Sequence, residues 1–134
     1  MITGEEIVEK KIIAISRGIH SSHIIHTAKA LLDGGIVLLE VTFHPSDDKI
    51  SADTLKSIEI LQNEMKGRMH IGAGTVLTEE RAEQAYLAGA EFIISPNVDE
   101  KVIRKTKELG LISIPGAMTP TEAAAAWRAG CDFV

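Results

Sequence analysis

Two seven-residue phrases in this chain are nearly the same: Leu87-Ala88-Gly89-Ala90-Glu91-Phe92-Ile93 and Arg128-Ala129-Gly130-Cys131-Asp132-Phe133-Val134. Each runs from a helix end through a glycine into an apolar stretch. Gly110 lies between them, and from Gly67 the glycines at 89, 110 and 130 follow at intervals of 22, 21 and 20 residues. A glycine in that place supplies the left-handed residue that ends a helix. A repeat of this length holds one strand and one helix, so the chain is constrained to a βα array.

Five apolar runs begin the units: Ile12 to Ser16, Val37 to Phe43, His70 to Val76, Phe92 to Ser95 and Leu111 to Ile114, with a sixth opening at Cys131. They are nearly continuous rather than alternating, which is how strands buried on both faces of a parallel sheet read. Thr119-Pro120-Thr121-Glu122 opens a helix by capping-box chemistry with proline at the first helical position. Thr78-Glu79-Glu80 and Asp99-Glu100 put acidic groups at other helix starts, where the dipole favours them. Such an array is either a closed (β/α)₈ barrel or an open doubly wound sheet. The open fold announces itself with a Gly-x-Gly-x-x-Gly turn after its first strand, but here that strand ends Ser16-Arg17-Gly18-Ile19-His20. The expectation is a (β/α)₈ TIM barrel, of which residues 1–134 form one domain holding five βα units plus the sixth strand. A whole barrel takes about 250 residues, so these residues read as its N-terminal part.

Composition narrows the partner. With 14 Lys and Arg against 19 Asp and Glu and no cluster of either sign, neither nucleic acid nor an anionic membrane is the expected partner. A small molecule fits better. The lone Cys131 has no second cysteine to pair with and reads as a small core residue. Met1 to Lys11 is charged throughout and lacks the apolar core of a signal peptide, which makes the cytoplasm the default expectation.

Active sites of such barrels lie at the C-terminal ends of the strands, here Arg17, Glu40 to His44, Gly74-Thr75, Ser95-Pro96 and Pro115-Gly116. Glu40 is the most informative, because it interrupts an otherwise apolar strand. Buried, its carboxyl would be pushed toward the neutral range that a general acid/base needs; the plainer alternative is a structural partner for Arg17 on the neighbouring strand. Gly72 and Gly74 would let a ligand approach the backbone, with Thr75 offering a hydroxyl, or form only a close turn. Pro96 and Pro115 end strands and need do nothing more.

His20, His23 and His26 recur every three residues, which fans them around a helix start instead of converging on a metal. His44 differs, since it borders the Glu40 strand. His70 begins its strand and is expected to be structural. Most lysines fall on helices or before the first strand, and Lys49 lies in a Ser46 to Ser51 segment that reads as a polar excursion in water. None reads as a desolvated amine.

Taken in order and spacing, Ile12-Ile13-Ala14-Ile15-Ser16-Arg17, Leu39-Glu40-Val41-Thr42-Phe43, Ile71-Gly72-Ala73-Gly74-Thr75-Val76, Phe92-Ile93-Ile94-Ser95-Pro96 and Ile114-Pro115-Gly116-Ala117-Met118-Thr119-Pro120 resemble the 2-keto-3-deoxy-6-phosphogluconate and 4-hydroxy-2-oxoglutarate aldolases. The resemblance implies a homotrimeric, pyruvate-releasing class I aldolase that needs no metal or other cofactor. It implies that Glu40 exchanges protons, that Thr75 and Pro96 line the pyruvate pocket, and that a Schiff-base lysine follows the Asp-Phe-Val of strand six, next after Val134. Glycine-rich phosphate loops would come later still. His44 stands where several members of the family carry a carboxylate-binding arginine, so Arg17 or His44 is expected in that role. Two other readings use the same residues: a phosphate-binding barrel isomerase or synthase without an imine, and an inactive partial barrel acting only by association.

Overall fold

The computed structural model describes all 134 residues. Its elements alternate after one leading helix: α1 (Gly4–Lys10), β1 (Ile13–Ser16), α2 (Ile24–Asp33), β2 (Leu38–Thr42), α3 (Asp48–Glu64), β3 (His70–Gly74), α4 (Glu79–Leu87), β4 (Phe92–Ser95), α5 (Glu100–Glu108), β5 (Ile112–Pro115) and α6 (Pro120–Ala129). The sheet is wholly parallel and its strands stand side by side in chain order, β1-β2-β3-β4-β5. That order separates the two candidate folds. A doubly wound sheet reverses direction at a switch point, whereas a barrel adds each strand beyond the last. Helices α2 to α6 each contact the next in sequence, so they line one face of the sheet, as in a TIM barrel.

Period-two alternation divides the strands between two apolar layers. Toward the helices, Leu39, Val41, Ile71, Ala73 and Ile93 join Ile58, Leu61 and Ala82 in the main core of 19 buried residues. On the concave face, Leu38 and Phe92 pack with Ile2 and Ile7. Register keeps the layers apart: Ile15, Glu40, Gly72, Phe92 and Ile112 form one row across the sheet.

The repeat is realised in the backbone. Gly67, Gly89, Gly110 and Gly130 all adopt positive φ, between 74° and 100°. Thr119 caps α6 with a full capping box, and Thr78 and Asp99 cap α4 and α5. Cys131 is buried with Ile103, Ala126 and Ala129.

The charged N-terminus, for which no element was expected either way, contains a helix: Thr3 and Glu6 form a capping box, and α1 closes the lower end of the concave face with Ile7 while Ile2 packs beside it. Two expectations need correcting. Ser46 to Ser51 is no loose excursion, because Asp47 accepts from the amides of Lys49 and Ile50 and starts α3. Lys49 is nonetheless exposed. Lastly, residues 131–134 run beside β5, with Asp132 and Phe133 amides both donating to the Ser113 carbonyl, without the ladder of a sixth strand. Asp132 holds this segment through Lys107 Nζ (2.6 and 2.8 Å) and the Ser113 amide (2.8 Å).

Candidate active site

All five residues of β2 are buried, and Glu40 is only 4% exposed. Its side chain points to the concave face and lies across β3. The two glycines of β3 explain how: a Cβ on Gly74 would occupy the position of Glu40 Oε1, and one on Gly72 would enter the Phe92 ring. The expectation that these glycines clear a path for a ligand is therefore corrected. They clear space for the chain's own carboxylate and aromatic ring.

Glu40 Oε1 accepts a hydrogen bond from the Thr42 hydroxyl at 3.0 Å. Burial pushes the Glu40 carboxyl above the usual carboxylate range, while the Thr42 hydroxyl and the more distant Arg17 guanidinium pull it partway back. Arg17 is not an ion-pair partner of Glu40. It is exposed, and its Nη2 reaches Thr75 Oγ1 at 3.5 Å, the outer limit of a hydrogen bond. The alternative that Glu40 merely neutralises Arg17 thus loses its geometry.

Thr75 carries the second unusual feature. Its φ is 56°, left-handed backbone that a β-branched residue rarely adopts. Such strain persists only where the surroundings over-determine it; here the Val76 amide is held by the Ile94 carbonyl (3.3 Å) and the preceding Gly74 carbonyl by the Phe43 amide (2.9 Å). The effect is to turn Thr75 at the strand end toward Arg17.

His44 follows β2 and is half-buried. Its Nδ1 accepts from the Ser46 amide at 3.3 Å, and its carbonyl accepts from Arg81 Nη1 (2.8 Å) and Ser51 Oγ (3.2 Å). Arg81, from α4, also stacks over the Phe43 ring at 5.5 Å. The loop carrying His44 is therefore pinned from α4, a tie with no signature in sequence because its partners are 37 residues apart. Pro96 is exposed just past β4, and the Gly116 amide donates to the Ser95 carbonyl at 2.8 Å, keeping the ends of β4 and β5 together.

The β1 side is closed by Asp53, which accepts from the Ser21 amide (2.8 Å) and hydroxyl (2.6 Å). Burial opposes its charge, yet the Ser21 hydrogen bonds, with His20 and Lys56 nearby, hold its carboxyl below the usual range. Between these ends lies a cavity of about 340 Å³, bordered by Ser16, Gly18, Thr42, Lys49 and Asp53. Thr42 belongs to both this cavity and the Glu40 carboxylate. His20, His23 and His26 are exposed, and His70 Nδ1 pairs with Glu91 Oε2 (3.0 Å) at the opposite end of the strands.

A probable 2-dehydro-3-deoxy-6-phosphogalactonate aldolase of Rhizobium meliloti is 36% identical over 125 residues, 93% of this chain and 56% of the relative. A 2-dehydro-3-deoxy-phosphogluconate aldolase of Treponema pallidum is 37% identical over 109 residues, 80% of this chain and 48% of that one. Among solved structures, the KDPG aldolase of Legionella pneumophila, with pyruvate captured at low pH as a covalent carbinolamine, matches with a TM-score of 0.78 at 29% identity, covering 88% of this chain and 54% of that one. The chain spans about half the length of the curated relatives it matches. The family model for KDPG and KHG aldolase matches residues 4–134, and the chain belongs to that family.

Proposed function

We propose that these residues are the N-terminal part of one TIM barrel whose intact protein is a class I aldolase, cleaving a 2-keto-3-deoxy or 4-hydroxy-2-keto acid, such as 2-keto-3-deoxy-6-phosphogluconate, to pyruvate and an aldehyde. The observation that carries this reading is Glu40: a carboxylate 4% exposed in the middle of β2, two residues before the strand's C-terminal end, raised by burial and without an ion-pair partner. A carboxyl whose burial favours the protonated form can both give and take a proton, as general acid/base chemistry requires. Family membership supplies the reaction class.

In this reading a lysine beyond Val134 adds to the 2-keto carbon. Glu40 gives a proton to the carbinolamine hydroxyl, which leaves as water and creates the iminium. The carboxylate then takes the proton of the C4 hydroxyl as the C3–C4 bond breaks, so the aldehyde departs and the bond electrons pass into an enamine. Protonation at C3 and hydrolysis release pyruvate. Thr75 and Pro96 line the keto-acid pocket, and Arg17 or His44 binds the substrate carboxylate. The chemistry asks for no metal, and the working protein is a cytoplasmic homotrimer. No helix is long and apolar enough to cross a membrane.

The test is reductive trapping. The intact protein incubated with pyruvate and borohydride should gain the mass of one reduced pyruvyl adduct per chain. Intact protein that gains no mass overturns the reading.

A further inference from the structure

Thr42 lies two residues beyond Glu40 on the same strand, so both side chains leave the same face. Its hydroxyl donates to Glu40 Oε1 at 3.0 Å, and its own carbonyl accepts from Thr54 Oγ1 at 3.1 Å, tying this point of β2 to α3. Thr42 is 4% exposed and sits in register with Gly74, whose missing Cβ is what makes room for the same Oε1. One oxygen of the carboxylate is thus enclosed by a hydroxyl and a bare stretch of backbone. The other, Oε2, receives no protein donor. Ser16 Oγ is the one fully buried side-chain polar atom without a partner, so Oε2, equally without one, keeps contact with the surface.

We propose that Thr42 is the positioning residue of the Glu40 carboxylate: by holding Oε1 against Gly74 it leaves Oε2 as the single oxygen that takes and returns protons. A proton arriving at Oε2 makes the neutral acid, while Oε1 goes on accepting from Thr42. Its departure from Oε2 restores the charge without moving the side chain. The carboxylate is held ready for both steps rather than reorganised between them. That these protons belong to an aldol cleavage rests on the proposed function; the hold on Oε1 does not.

The same bond favours the ionised form, against the effect of burial. Arg17, at the end of β1, is the one charged group acting on Glu40 from a neighbouring element. β3 faces it with Gly72 and Gly74 and is followed by Thr75, none ionisable; His70, at the far end of β3, pairs with Glu91, and β2 carries no second ionisable residue. Removing the hydroxyl alone should therefore raise the titration midpoint.

The experiment follows the ¹³C carboxyl resonance of Glu40 against pH in the intact protein, assigned by its loss in Glu40→Gln. Thr42→Val should raise the midpoint by about one pH unit, Thr42→Ala should do the same without the branched methyls, and Thr42→Ser should restore it. The acid limb of kcat/KM for keto-acid cleavage should move with it. An unmoved midpoint in both Thr42→Val and Thr42→Ala overturns the proposal, as does a serine variant that titrates with the valine one. Shifted midpoints in proteins that cleave no keto acid, wild type included, support the hold of Thr42 on Glu40 and overturn the aldolase reading instead.

Discussion

At Glu40, stability and chemistry pull in opposite directions. Burial raises its carboxyl, so between the ordinary glutamate range and the raised one the folded chain binds a proton that the unfolded chain has released. The unfolded state then binds fewer protons, and stability falls as pH rises through that interval. Glutamine keeps an acceptor for Thr42 and removes the ionisation. Glu40→Gln should therefore melt higher than wild type at pH 8 and match it near pH 4, as read by thermal melts across pH. Its turnover in the intact protein should drop by a factor of about 100 or more, the usual contribution of a positioned acid/base. An active variant would remove Glu40 from the chemistry, and one that melts lower at pH 8 would contradict the account of its burial. Glu40 was legible in the sequence because a carboxylate inside an apolar strand has few explanations. Its contacts with Thr42 and Gly74 were not, since they depend on the register of β2 against β3, and a slip of one residue turns every side chain to the other face.

The elements owe their legibility to local chemistry, and what escaped notice depends on distance or on short length. Capping residues and terminal glycines marked α4, α5 and α6 because each signal lies within a turn of its effect. Helix α1 has seven residues and buries only Ile7, too little for a periodic apolar stripe. The Thr3-x-x-Glu6 box was its one available sign. Replacing Thr3 by alanine should weaken α1 by about 1 kcal/mol, seen as faster amide exchange at Ile7 and Val8 with β2 and β3 unchanged. Arg81 offers a sharper test of how one element holds another. Its side chain is only 15% exposed and donates to the His44 carbonyl from α4. Arg81→Met keeps much of the packing on Phe43 and loses that bond, a change of about 1–2 kcal/mol because Ser51 still serves the same carbonyl. If His44 contacts substrate, KM should rise several-fold while kcat changes little. Equal loss in both would show that the loop acts on the chemistry rather than on binding.

For the molecule as a whole, the concave face sets the behaviour. Ile13, Ile94, Ile112 and Ile114 are only partly buried there, and Ile15 on β1 is 63% exposed. Strands β1 and β5 are the outer members of the sheet, although residues 131–134 lean on β5. An apolar surface beside an open strand edge is a template for association. A polypeptide of these 134 residues alone should therefore form concentration-dependent oligomers in sedimentation velocity and bind a hydrophobic dye. Ile15→Lys places a charge on the exposed face next to the β1 edge and should shift that population toward monomer. In an intact barrel, with β1 paired on both sides, the same row would lie in the interior, where an unpaired lysine costs several kcal/mol. The substitution should then lower the melting temperature of an intact barrel while improving the solubility of the 134-residue polypeptide. Opposite signs in the two contexts would place Ile15 inside a closed barrel. The same sign in both would mean that the concave face stays open to solvent, and the barrel reading would fail with it.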